Sequence, residues 1–113
     1  MRLMISLLCA LTFCFSAAAT AQESALPELT GRVVDNAGLL EQGAEQQLTQ
    51  MLTAHEQATS EQVVVVTVPS LQGQSIEQFG VALGRAWGIG QQDKVNGALL
   101  IVARDDRKIR IEV

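Results

Sequence analysis

Four groups of side chains in this sequence carry enough oxygen or nitrogen, at close enough spacing, to do chemistry. The densest is the loop Gly90-Gln91-Gln92-Asp93-Lys94-Val95-Asn96-Gly97, where the Asp93 carboxylate and the Asn96 amide oxygen stand beside a glycine turn. Hard oxygen donors at a tight turn are the ingredients of a divalent-cation site. The loop departs from the calcium-hand template, because Gln92 stands where the first Asp would be and Ala103 where the closing Glu belongs. Turn chemistry without an ion is therefore the simpler reading of these residues. Asp35-Asn36 follows a strand-like Val33-Val34 and either caps a turn or lines a pocket. Asp105-Asp106, set between Arg104 and the pair Arg107-Lys108, reads as a hairpin turn with its charge offset locally. His55 is the single histidine, with no second His or nearby Cys to complete a zinc set and no Ser-His-Asp pattern around it. Gly88-Ile89-Gly90 has two glycines of a nucleotide fingerprint, yet it follows a helix pattern and lacks the third, which makes it a helix stop.

The frame for these groups is small. A chain of 113 residues holds at most one domain. Twelve acidic against eight basic side chains give a net charge of −4, which leaves no basic field for nucleic acid. Met1-Arg2, the apolar run from Leu3 to Phe15 and the small residues from Ser16 to Ala21 have the order of a secretory signal. Thirteen residues of helix rise only about 20 Å, short of the roughly 30 Å hydrocarbon layer, so a permanent span is the weaker reading. Cleavage after Ala21 removes Cys9 and Cys14 and leaves 92 residues without a thiol, excluding disulfides, thiol catalysis and Cys-ligated metals. The expected location is outside the cytoplasm, in the periplasm or on the outer face of the cytoplasmic membrane.

Residues 22–28 read as a flexible leader, and the fold is expected over residues 29–113. From Glu41 to Thr59 the stripe Ala44, Leu48, Met51, Leu52, His55 and Ala58 predicts a surface helix packed on a sheet, with His55 a structural residue on its core-facing side. Val63 to Val68 predicts a strand covered on both faces, the usual state of a parallel strand. Ser75, three residues before Gln78, is placed to cap a helix whose buried stripe is Ile76, Phe79, Leu83 and Ala86/Trp87 and whose stop is Gly88. Asn96-Gly97 turns into a second buried strand, Ala98 to Ala103. Lys108, Arg110 and Glu112 then alternate with Ile109, Ile111 and Val113, a strand with one wet side, antiparallel and near the sheet edge. The order helix, strand, helix, strand, strand predicts an α/β fold. A strand pattern running to Val113 leaves one edge and part of the sheet uncovered, as in a domain truncated at its C-terminal end.

Four segments in this order resemble the TPM domain family of exported or membrane-tethered bacterial proteins, which includes a thylakoid-lumen protein of photosystem repair. They are Val33-Val34-Asp35-Asn36-Ala37-Gly38-Leu39-Leu40; Val63 to Val68 with Leu71-Gln72-Gly73-Gln74-Ser75-Ile76-Glu77; Arg85-Ala86-Trp87-Gly88-Ile89-Gly90; and Asn96 to Ala103 with Asp106-Arg107-Lys108-Ile109-Arg110-Ile111. The resemblance implies an α/β/α sandwich of which this chain is the N-terminal two-thirds, with further helices and often a membrane tether in full-length relatives. It also implies calcium or another divalent ion in an acidic, loop-lined pocket, and the matching positions are Asp35, Asp93 and Asn96. Many relatives have Asp-Asn-Gly where this chain has Val95-Asn96-Gly97, so Asp93 is the carboxylate left to take that place.

Three functions follow from this reading. The first is a non-enzymatic envelope module that assists assembly or maintenance of membrane proteins, because no nucleophile-and-base set is recognisable. The alternative is a metal-dependent phosphatase acting on phosphate monoesters, in which Asp35, Asp93 and Asn96 would hold an ion that polarises a phosphoryl oxygen. The third is ion binding without catalysis. No organic cofactor and no nucleic-acid partner is expected.

Overall fold

The computed structural model describes residues 26–90 and 96–113. The expected signal at residues 1–21, most of the leader, both cysteines and Asp93 lie outside the described residues. The valine run becomes the centre of the molecule. In chain order the elements are β1 (Val33–Asp35), α1 (Gln42–Thr59), β2 (Gln62–Val68), α2 (Ile76–Trp87), β3 (Gly97–Ala103) and β4 (Lys108–Glu112). They form one four-stranded sheet in the order β1-β2-β3-β4, with β1, β2 and β3 parallel and β4 antiparallel to β3. The fold is α/β, as expected, with one more strand than the hydrophobic pattern announces. β1 is only three residues long, too short for a period to declare itself, and it exists because Val33 and Val34 pair with Val65 and Val66.

Alternation along β2 divides the sheet into two faces. Val64, Val66 and Val68 join Leu99, Ile101 and Ala103 of β3 and Ile76, Phe79 and Leu83 of α2 in one core, while Val65 and Thr67 are buried on the opposite face. Burying each of these apolar side chains stabilises the fold by roughly 1.5–3 kcal/mol. The second helix starts and stops where its sequence directs. The Ser75 hydroxyl accepts the backbone N–H of Gln78 at 3.0 Å, and Gly88 takes the left-handed conformation (φ 63°) that ends the helix.

The first helix is rotated from the expected setting. Its half-buried stripe is Glu45, Leu48, Thr49, Leu52, Thr53 and Glu56, whereas Ala44, Met51, His55 and Ala58 are exposed. Thr49 and Thr53 explain the rotation. Each returns its hydroxyl to the carbonyl four residues back, at 2.8 Å, so the polar atom is satisfied within the helix and the residue can sit on the packed face. Arg32 reinforces that setting by donating to Glu56 at 2.7 Å. His55 is therefore not on the core face: its Nε2 pairs with Glu61 Oε1 at 2.8 Å in solvent.

The last strand reverses its expected exposure. Arg110 and Glu112 lie over α2, where an added Cβ on Gly80 would stand 3.3 Å from Glu112 Oε1 and 3.0 Å from Ile101 Cδ1. A helix without side chains at Gly80 and Gly84 can approach that closely, and two charged side chains fill the space. Ile109 and Ile111 face the other way and are 68% and 63% exposed, because α1 packs against β1 and β2 but reaches neither β3 nor β4. The chain also engages the fold two residues before Leu29: Trp87 Nε1 donates to the Pro27 carbonyl at 2.9 Å.

The neck of the loop before β3 is tight. An added Cβ at Gly97 would meet the backbone nitrogen of Gly90 at 2.7 Å and Ile89 Cγ2 at 2.7 Å, whereas one at Gly43 in α1 would meet nothing. Gly97→Ala is expected to destabilise the protein by about 1–3 kcal/mol through overpacking. Gly43→Ala is expected to stabilise it by up to about 1 kcal/mol through helix propensity. Urea unfolding of the two variants beside the wild type checks both signs.

Candidate functional site

In an open parallel sheet, ligands are usually taken outside the carboxyl ends of the strands. Three loops meet there: residues 36–41 after β1, residues 69–75 after β2, and residues 104–107 between β3 and β4. Side chains lace them together. The Asp35 carboxylate accepts the Thr67 hydroxyl at 2.6 Å and the Leu39 N–H at 2.9 Å on Oδ1, and the Leu40 N–H at 2.8 Å on Oδ2. Thr67, only 3% exposed, in turn accepts the Ala37 N–H at 2.9 Å. Arg104 donates through Nη1 to the Ala37 carbonyl at 3.0 Å and through Nε to Asp105 at 2.9 Å. Asp106 accepts the Leu71 N–H at 2.9 Å, and the backbone N–H groups of Arg104 and Asp105 bond the carbonyls of Val68 and Pro69. A shallow cavity of about 190 Å³ opens beside this lacing, with Asn36, Pro69, Gln72 and Phe79 among its walls.

The chemistry of this end is binding geometry held by fixed polar groups. Partial burial pushes the Asp35 carboxyl upward, but the hydrogen bonds from Thr67, Leu39, Leu40 and Gly38 outweigh it and hold the group below its ordinary value. Asp35 thus works as a charged cap for the turn that launches α1. Asp106 and Arg104 do comparable work, beyond the hairpin turn that the sequence alone indicates for Asp106. The signal that finds them is topological. Residues following Val68 and Ala103 must lie beside those following Asp35 once the three strands run parallel.

The expected ion-ligand set does not assemble at one place. Asp35 is in register with Thr67 and, through it, Val102, while Asn96 precedes Gly97, the partner of Gln62 at the other end of the sheet. Six residues of strand separate the two levels, roughly 20 Å at strand rise, and calcium ligands lie about 2.3–2.6 Å from their ion. Asp35 and Asn96 therefore cannot hold one ion, which corrects their grouping. Asn96 is a loop clamp instead: its Nδ2 donates to the Ser60 carbonyl at 2.8 Å and its own carbonyl accepts the Gln62 N–H at 2.9 Å. Gln62 closes the neck by accepting the Gly90 N–H at 2.8 Å. Among the described residues no group of three His, Cys, Asp or Glu side chains is arranged to hold a metal ion. His55 and Glu61 also sit toward the Asn96 end, away from Asp35.

Asp35 makes a pH test with a definite sign. Its native carboxyl is held below the ordinary aspartate value, so its contribution to stability is complete above that ordinary value and is lost as the pH falls through the lowered native one. Asp35→Asn is expected to lower stability by about 1–2 kcal/mol near neutral pH. The gap from wild type should narrow as the pH falls through the lowered native value and vanish below it. Urea unfolding across the acid range reads it; a gap independent of pH would show that the charge is not involved.

A family model of the TPM domain matches residues 33–113. The solution NMR structure of the N-terminal domain of a protein from P. gingivalis is similar with a TM-score of 0.68 at 36% identity, over 74% of this chain and 54% of that one. The chain thus spans about half the length of that relative. No curated protein matches it. The match over residues 33–113 takes in all four strands and both helices, and the chain accordingly belongs to the TPM domain family.

Proposed function

We propose that this chain is an exported, non-catalytic recognition module of the cell envelope, which presents the loops after β1, β2 and β3 to membrane proteins during their assembly or maintenance. The observation that carries this reading is the state of Asp35. Both oxygens of the Asp35 carboxylate are engaged by a hydroxyl and two backbone N–H groups, so it shapes a surface instead of attacking or deprotonating a substrate. Histidine, the usual general base near neutral pH, is represented once, and that residue is paired with Glu61. The N-terminal charge, apolar run and small-residue exit support export. A divalent ion forms no part of this reading, since its expected ligands are divided between the two ends of the sheet.

A photo-crosslinking side chain placed at Asn36 or Ser70, both exposed, tests it in intact cells. The expected result is a discrete adduct with an envelope membrane protein from these two sites and none from Gln57 on the outer side of α1. Adducts of equal yield from all three positions would remove the loop surface as the recognition site. Hydrolysis of a phosphate monoester by the purified chain, dependent on a divalent cation and lost in Asp35→Asn, would replace this reading with the phosphatase one.

A further inference from the structure

Residues 26–30 approach β1 without regular secondary structure, yet their exposure alternates: Leu26, Glu28 and Thr30 face solvent, while Pro27 and Leu29 are half-buried. A period of two is what an extended chain shows when one side of it lies along a surface. That surface is apolar and aromatic. Leu29 and Trp87 pack against the main core, Trp87 Nε1 donates to the Pro27 carbonyl at 2.9 Å, and Pro27 walls the cavity that Asn36, Leu71, Gln72 and Phe79 also line. Arg32 fixes the root of this strap, since its carbonyl accepts the Val65 N–H at 2.8 Å and its guanidinium donates to Glu56 at 2.7 Å. Among the described residues, no backbone–backbone hydrogen bond ties residues 26–31 to another element. The strap is held by one indole N–H and two side chains, on a root that is anchored separately.

Aromatic-lined grooves recur as docks for proline-containing segments, with a tryptophan N–H supplying the polar contact. We propose that the cleft bounded by Trp87, Phe79 and the loops after β1 and β2 is a peptide-binding groove filled in cis by residues 26–30, and that an extended Pro-x-Leu segment of a partner protein takes the same place when the strap leaves. The groove asks for a carbonyl at the proline, to meet Trp87, and for an apolar side chain two residues on, to fill the seat of Leu29. It makes no demand on the residue between, because Glu28 points to water. A strap on a short linker reaches its own groove at an effective concentration on the order of millimolar, so while seated it shuts out ligands weaker than that. Occupancy by a partner is then set by the fraction of molecules with the strap released. This deepens the recognition reading, and rests on it for the partner being an envelope protein, because the groove and the loop surface share Asn36 and Leu71.

The double variant Pro27→Gly/Leu29→Ser of the whole chain releases the strap and leaves its root at Arg32 intact. A fluorescein-labelled peptide of residues 24–32 is the probe, read by anisotropy on the purified proteins. It should bind the double variant at least about tenfold more tightly than wild type, and adding Trp87→Phe should weaken that binding at least about threefold. The same peptide with Ser at both the proline and the second leucine should bind neither. If circular dichroism shows the double variant unfolded, Leu29→Ser alone takes its place with the same expected order. Equal affinity for released and wild-type chains, or affinity indifferent to Trp87→Phe, would overturn the proposal. In intact cells, the adduct from a photo-crosslinker at Asn36 should rise at least about threefold in the double variant, a gain that a merely structural strap does not produce. An adduct that forms but is unchanged by release overturns the groove and leaves the recognition reading standing. Peptide binding in the expected order with no envelope adduct from any variant supports the groove and removes that reading.

Discussion

A parallel strand has no partner nearby in sequence, and three of the four strands here depend on contacts made across a whole helix. Residues 64–68 meet that demand by being buried on both faces while bonded along both edges. Every other element is placed relative to this segment. β1 is recruited by two of its valines, α2 lies over the alternate set, and the hairpin of β3 and β4 extends the sheet on the far side. Because the strand is apolar on both faces, it exerts no preference of its own about which helix takes which side. The choice falls to Thr67. Its hydroxyl is the one polar side-chain group on the buried segment, and it is satisfied only by the Asp35 carboxylate and the Ala37 N–H.

Legibility in the sequence followed local signals closely. Capping at Ser75, the stop at Gly88 and the valine strand needed nothing beyond near neighbours, and all three stand as read. The first helix was legible as an element but not in its rotation. With few apolar side chains along it, the decision between Met51 and Thr53 as the packed residue rests on a hydroxyl returning to a carbonyl, which hydrophobic spacing does not register. The last strand was legible as alternating, with the wrong side taken as wet. Glycines at positions 80 and 84, which the apolar stripe of the helix leaves out, create the shelf on which Arg110 and Glu112 lie.

The loop cluster shows the same division between local and distant information. Asp35 stands out from its own neighbourhood as either a turn cap or a pocket residue, and its hydrogen bonds make it the cap, but grouping it with Asn96 required knowing which strand ends lie together. Parallel pairing places residues after Asp35, Val68 and Ala103 at one end and those before Gln62 and Gly97 at the other. Each end is laced by its own hydrogen bonds, Asp35, Arg104 and Asp106 at the first and Gln62 and Asn96 at the second. The two lacings share no residue, so the opposite poles of the sheet can change independently.

The tie between Trp87 and Pro27 has a practical outcome. The chain contains one tryptophan and no tyrosine, so its near-ultraviolet emission comes almost wholly from an indole whose N–H is anchored by the residues entering the fold. The molecule carries a built-in optical reporter of whether its N-terminal segment is seated, one that trimming of the leader past Pro27 would shift while the sheet beneath stayed whole.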